Sequence, residues 1–376
     1  MESKRDTLFK QILIGILVFI SSITGSYFVS KEVMAGLEKT NQINMNIIEL
    51  EGGKSNFEED LSEVVSKIKD TVVNIKCSSL TSQSAGSGVI IAKSDSKEEY
   101  YIVTNHHVIN GYPNISVELA DGNIHQAALV GGDPTGDIAI VKIEAEGLNI
   151  ANILKDSDTL REGDSVIAIG NPLGELGGTV SRGIISFLGR EIMIEGQKRT
   201  LIQTDAAVNS GNSGGGLFDI NGNLIGIVNA KAAQLGVEGL AFAIPSNEMR
   251  YLAMEIMKTA TDKNYGYVPG RTTIGATFVN GYYQSGGFFG QTYEIVYVTN
   301  VNEESAADKA GLRKEDIIIS VTASGDTVII EDALQIMEII KSQEIGNELT
   351  FKIKRGGLNS PEIELKVICE QYIYTI

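Results

Sequence analysis

Cysteine, tryptophan, histidine and proline are all scarce in this chain. Its 376 residues include two cysteines, no tryptophan, three histidines and six prolines. Cys77 and Cys369 lie far apart in sequence, which excludes a disulfide framework and a cysteine-based metal site. Positive charge is also short. Lys+Arg is 31 against Asp+Glu 48, a net charge of −17, so the basic face a nucleic-acid partner needs is missing. No HExxH-type motif is present for a metalloprotease. "IGNPLGELGG" lacks the GxGxxG spacing of a dinucleotide-binding turn. No metal or cofactor is expected. Any imidazole base must be His106, His107 or His125.

Apolar residues are plentiful, at 43%, and the length suits two or three domains. The run "QILIGILVFISSITGSYFVS" from Gln11 to Ser30 carries no charge and matches the length of a bilayer-spanning helix. Lys4, Arg5 and Lys10 precede it, which orients residues 1–10 to the cytoplasm and exports the remainder. A cleaved signal peptide is the competing reading. No small-x-small cleavage site follows the apolar core, so the reading is an uncleaved anchor over 11–30. Residues 31–56 are polar and read as a tether.

Residues 57–260 form the first globular unit. Leu61, Val64, Val65 and Ile68 have helical spacing. Short strand-like runs follow, among them "SGVIIA", "YYIVT", "IAIVKI", "SVIAIG" and "LIGIVNA", separated by turn signals such as "ADGN" and "INGN". This pattern predicts an all-β barrel or sandwich. A helix is expected at "EMRYLAMEIMK", then a linker over 261–271. Residues 272–376 read as a second unit, with strands flanking two helices. "ESAADKAGL" is ended by Gly311, and "EDALQIMEIIKSQ" starts at Glu331 or Asp332.

The chemistry concentrates at "GNSGG", Gly211–Gly215. Acyl transfer by a serine needs an activated hydroxyl, an oriented base and preorganised N–H groups for the oxyanion. A serine among glycines can expose its Oγ while neighbouring N–H groups turn into one hole. The base is one of the three histidines. His106 and His107 follow an apolar strand, whereas His125 sits on a hairpin. The carboxylate is Asp133 or Asp137. Asp137 directly precedes a strand-like run, and Asp133, before Pro134, suits a turn.

Together these segments resemble the HtrA-type (DegP/DegS-like) trypsin-like serine proteases, over roughly residues 60–376. "TNHHVI" resembles the family's histidine segment and implies His107 as the base. "DPTGDIAIVKI" implies Asp137, and "TDAAVNSGNSGGGL" implies Ser213 as nucleophile, with the N–H groups of Gly211 and Ser213 as the oxyanion hole. "AIGNPLG", "TVSRGIIS" and "GLAFAIPSN" match further segments in the same order. The resemblance implies two six-stranded β-barrels with the triad between them. The fold class is therefore mainly β: a trypsin-like double barrel followed by an α+β PDZ domain, with an N-terminal transmembrane helix. It also implies a specificity pocket at Ala207 and Val208 suited to small apolar side chains, and a homotrimer.

"TTIGAT" sits where such PDZ domains carry their carboxylate-binding loop, which implies that Thr273, Ile274 and Gly275 bind peptide C-termini. The family often has an aromatic residue at the position of Thr273 and usually has Gly-Asp where Glu315 and Asp316 stand. The expected activity is a membrane-anchored, extracytoplasmic serine endopeptidase acting on misfolded or regulatory proteins under PDZ control. The glycine- and aromatic-rich stretch 279–291 is a candidate moving part. The alternative is a non-catalytic peptide-binding scaffold or holdase that keeps the protease shape.

Overall fold

The computed structural model describes residues 43–49, 61–170, 178–194, 197–209, 211–230, 240–261, 263–284 and 291–373. The apolar run 11–30 lies outside them. No helix among the described residues is long and apolar enough to cross a membrane.

The first barrel comprises β3 (Val72–Ser78), β4 (Gln83–Ser94), β5 (Glu99–Thr104), β6 (Asn114–Glu118), β7 (Ile124–Asp133) and β8 (Ile138–Glu144). Their order is β4-β3-β6-β7-β8-β5, and a β4–β5 pairing closes the ring. The second barrel is built from β10 (Ser165–Gly170), β11 (Thr179–Ile194), β12 (Gln197–Thr204), β13 (Gly216–Asp219), β14 (Asn223–Val228) and β15 (Ala241–Pro245). It runs β13-β10-β11-β12-β15-β14 and closes through β13–β14. Closure removes the open strand edges that would otherwise invite pairing with other chains. β9 (Asn152–Leu154) lies parallel to β14 on its outer side.

Part of the expected tether is folded. β1 (Ile43–Asn44) pairs antiparallel with β4 of the first barrel, and β2 (Asn46–Ile48) pairs parallel with β9 on the second. Ile43 and Met45 pack against the core cluster shared by the barrels. Their apolar side chains, placed two residues apart, explain why this short segment docks rather than hanging free.

Alternation explains the barrel walls. Ile75, Ile90, Ile102 and Val141 fill the first barrel, and Val166, Ile202, Leu217 and Ile225 fill the second. A third cluster lies between them and receives Val64 and Ile68 from α1 (Leu61–Ile68), and Met249, Leu252 and Ile256 from α3 (Ser246–Thr259). Burying a side chain such as Leu252 contributes about 2–3 kcal/mol. It also leaves no room at Gly136, where an added Cβ would meet Leu252 Cδ1 at 2.3 Å.

In the C-terminal unit the main sheet runs β17-β18-β19-β21-β22, from β17 (Ala276–Gln284), β18 (Thr292–Val301), β19 (Ile317–Ala323), β21 (Glu348–Lys354) and β22 (Glu362–Ile368). β20 (Asp326–Ile329) hangs from β19, and β16 (Thr272–Thr273) pairs with β23 (Glu370–Gln371). α4 (Ala306–Lys309) is followed by Gly311 at φ 84°. α5 (Ala333–Lys341) starts at Asp332, which forms a capping box with Gln335, so Asp332 and not Glu331 is the N-cap. Cys77 and Cys369 are buried, unpaired and in different cores. Burial pushes the Cys77 thiol up to about 12.

Candidate active site

His107 lies on α2 (His106–Ile109), a single turn that follows β5. Asp137 lies in the tight link between β7 and β8. The strand pairing Thr104↔Ala139 brings these two chain segments side by side. His107 Nδ1 is 2.8 Å from Asp137 Oδ2, and the His107 backbone N–H donates to Oδ1 at 3.0 Å. The Asp137 carbonyl accepts from the His106 N–H at 3.1 Å and from Asn105 Nδ2 at 3.0 Å. Asp137 is a non-glycine residue at φ 57°, a conformation that costs free energy and persists where neighbours enforce it. Here the enforcement comes from both carboxylate oxygens, the carbonyl and Leu252 against Gly136.

Two more groups reach Asp137 Oδ2, Asn229 by a hydrogen bond and Arg199 by an ion pair, and neither was singled out from the sequence. Asn229 Nδ2 donates at 2.8 Å, and Arg199 Nη1 lies at 3.0 Å. A signal for each exists in the sequence. Asn229 directly follows the apolar run of β14, and Arg199 shares with Leu201 the face of β12 turned toward the cluster between the barrels. Burial acts to raise the Asp137 pKa. The His107 hydrogen bond and the charges of His107 and Arg199 outweigh it and hold the carboxyl below its usual range.

Ser213 sits in the turn before β13. Its carbonyl accepts from the Ser87 N–H at 2.8 Å, and Ser87 Oγ donates to the Gly211 carbonyl at 2.8 Å. These bonds fix the serine turn to the first barrel. Gly214 has φ 85°, and an added Cβ would fall 2.1 Å from the Ser87 carbonyl oxygen, so only glycine fits. Gly211 takes φ 101°. The N–H groups of Gly211 and Ser213 have no acceptor among the described residues. Ser213 Oγ accepts from the Ala230 N–H at 3.2 Å and forms no hydrogen bond with His107. Consecutive residues Asn229 and Ala230 thus touch Asp137 and Ser213.

The remaining candidates fall elsewhere. His106 is buried, and its ring lies against Gly132. On the β6–β7 hairpin, the His125 ring is 2.9 Å from the Glu144 carbonyl oxygen. Asp133 closes a turn by accepting from the Gly136 N–H at 2.9 Å, and it pairs with Arg271 of the linker at 3.1 Å. Ala207 is exposed and Val208 half-buried against the second-barrel core. Ser181 Oγ holds the Ala207 carbonyl at 2.8 Å. Of the run "IVNAKAAQL", residues 227–235, expected to supply small walls to this pocket, residues 231–235 lie outside the described residues.

In the C-terminal unit, Thr273 ends β16, Ile274 is buried and Gly275 has φ 74°. The Gly275 N–H, expected to face a peptide carboxylate, donates instead to Thr273 Oγ1 at 3.1 Å. The Ile274 N–H has no acceptor among the described residues. Glu315, standing where glycine is usual, occupies φ 72°. Asp316 beside it is fully buried and receives two bonds of 2.7 Å from Arg355.

Comparison with known proteins agrees with this layout. Residues 86–227 match the trypsin-like peptidase domain family, and residues 272–367 match the PDZ domain family. The serine protease Do-like HtrA of Lactobacillus helveticus is 37% identical over 299 residues, covering 77% of this chain and 70% of that protein. The Do-like HtrB of Bacillus subtilis is 38% identical over 281 residues, covering 72% of this chain and 59% of that protein. The periplasmic serine endoprotease DegP of Escherichia coli is 38% identical over 274 residues, covering 72% of this chain and 54% of that protein. The chain therefore spans less than two thirds of the length of two of these three relatives. A solved structure of the HtrA-type protease AlgW with a tripeptide superimposes with a TM-score of 0.51 at 30% identity, over 84% of this chain and 99% of that one.

Proposed function

Since the chain belongs to the HtrA family of trypsin-like serine proteases, we propose that it is an exported serine endopeptidase acting on unfolded or regulatory proteins. Ser213 Oγ attacks the scissile carbonyl. His107 Nε2 takes the hydroxyl proton and returns it to the leaving amine. Asp137 holds the His107 Nδ1–H, and the N–H groups of Gly211 and Ser213 receive the oxyanion. Water then repeats the sequence to release the acyl group. The reading is carried by one observation: Asn229 and Ala230 tie the His107–Asp137 pair and the Ser213 turn to a single stretch of β-strand end. The Ser213 bond to Ala230 describes a resting hydroxyl, and rotation about χ1 toward His107 precedes proton transfer.

The finer assignments belong to the same proposal. Residues 11–30 hold the enzyme at the membrane, with both globular units on the extracytoplasmic side. The protease domains assemble as a trimer. Ala207 and Val208 favour a small or medium apolar side chain before the cleaved bond, because a buried apolar wall rejects an unpaired Lys or Arg. The Thr273–Gly275 turn of the PDZ domain receives peptide C-termini. The test is digestion of casein by the wild type beside Ser213→Ala, together with fluorophosphonate labelling. Labelling and cleavage that both vanish in Ser213→Ala support the enzyme. A wild type that neither labels nor cleaves leaves the scaffold reading.

A further inference from the structure

Arg199 belongs to the second barrel, yet its guanidinium lies behind the carboxylate of a link in the first. Nη1 is 3.0 Å from Asp137 Oδ2, and each side chain is only 5% exposed. Nη2 donates to the Pro134 carbonyl at 3.1 Å, so the planar group spans the link from Pro134 to Asp137. As a purely structural clamp it is poorly used. Nε and Nη1 are both buried without a hydrogen-bond partner among the described residues, Nη1 meeting Asp137 as an ion pair alone, which costs free energy. The geometry instead favours a role for its charge.

We infer, on the proteolytic reading above, that Arg199 is a positioning residue whose fixed charge sets the pH range over which the His107–Asp137 pair works, extending activity into mildly acidic solution. A negative Asp137 favours the protonated imidazole, and a cation 3.0 Å behind it cancels part of that pull. Removing the cation acts twice in one direction. Asp137 protonates more easily and loses its hold on Nδ1–H. While it stays ionised, its unopposed charge makes His107 keep a proton longer. Both effects leave less neutral, oriented His107 near pH 6.

Other charged groups around the guanidinium do not replace this pairing. Glu248 of α3, Asp133 at the end of β7, Arg271 of the linker and Lys341 of α5 lie near it. Asp133 is matched by Arg271 at 3.1 Å. Burial raises the Glu248 pKa, which weakens it as a counter-charge.

The test is the pH profile of kcat/KM on a fluorogenic unfolded peptide for the full chain, Arg199→Met and Arg199→Lys, with thermal melting alongside. Arg199→Met is expected to move the acid midpoint up by about one pH unit, a loss of roughly tenfold at pH 6 relative to its own plateau. Arg199→Lys keeps the charge and stays near the wild-type midpoint. An unmoved or lowered midpoint in Arg199→Met overturns the inference, as does a Lys variant that behaves like Met. If Arg199→Met does not fold, Arg199→Gln carries the same comparison. If the wild type neither cleaves nor labels at Ser213, the proteolytic reading fails separately. NMR titration of His107, one of three histidines, then decides the charge effect: an equal midpoint with and without Arg199 overturns it.

Discussion

Two turns in this chain were expected to receive an oxygen anion on backbone N–H groups, and they differ in what those groups already do. At the serine turn, the N–H groups of Gly211 and Ser213 have no acceptor among the described residues, and Ser87 fixes the surrounding carbonyls. At the PDZ turn, Gly275 has an equally left-handed backbone, but Thr273 Oγ1 takes its N–H. A glycine at positive φ therefore marks where the chain bends and not whether its donors are available. Availability depends on which side chain stands two residues away.

The largest expected effect tests the first turn. Ser213→Ala should lower kcat on the order of 10⁶-fold with little change in melting temperature, as measured by peptide hydrolysis and calorimetry. Retained hydrolysis would break the comparison at its catalytic end. Gly214→Ala should act on both readouts. Its Cβ would fall 2.1 Å from the Ser87 carbonyl at φ 85°, so a loss of stability of about 2–4 kcal/mol is expected together with loss of activity. Urea unfolding would check it.

Acid unfolding separates architecture from chemistry at the same turn. The Asp137 pKa is depressed in the fold. Its stabilising contribution is therefore complete above the unfolded value of about 3.9 and is lost as pH falls through the lower folded value. Ser213→Ala should keep this acid transition, and Asp137→Asn should lack its Asp137 component.

The smallest effect sharpens the second turn. Thr273→Val removes the hydroxyl that occupies the Gly275 N–H. It should tighten binding of peptides with a free C-terminus by about fivefold, near 1 kcal/mol, and leave C-terminally amidated peptides unchanged. Isothermal titration would measure it. Equal affinity in both proteins would show that the Gly275 N–H does not meet the carboxylate.

Legibility in the sequence followed the range of the interactions. The histidine, aspartate and serine segments are local patterns, so the residues alone narrowed the candidates to three histidines, two aspartates and Ser213, and the family resemblance implied His107 and Asp137 among them. The barrels were readable because short apolar runs recur between turn signals, and strands such as Asn223–Val228 and Ala241–Pro245 are apolar almost throughout because both of their faces are buried. Arg199 was passed over because its partner lies across two barrels, although its phase with Leu201 on β12 turned it toward the cluster between the barrels. The Thr273 bond to Gly275 was not legible, since a threonine side chain can turn toward the backbone or toward solvent with equal ease in a sequence. β1 and β2 were missed because each is only two or three residues long and exists through its pairing with β4 or β9, distant in sequence.

The docking of that N-terminal segment shortens a leash. With residues 11–30 seated in a membrane as proposed, a free tether over 31–56 would let the catalytic cleft roam roughly 90 Å from the bilayer at full extension. Because β1 begins at Ile43, at most residues 31–42 lie between such a span and the docked segment, an upper bound of roughly 40 Å. The volume searched falls about tenfold, and the effective concentration of the cleft toward substrates held at the same membrane rises by the same factor.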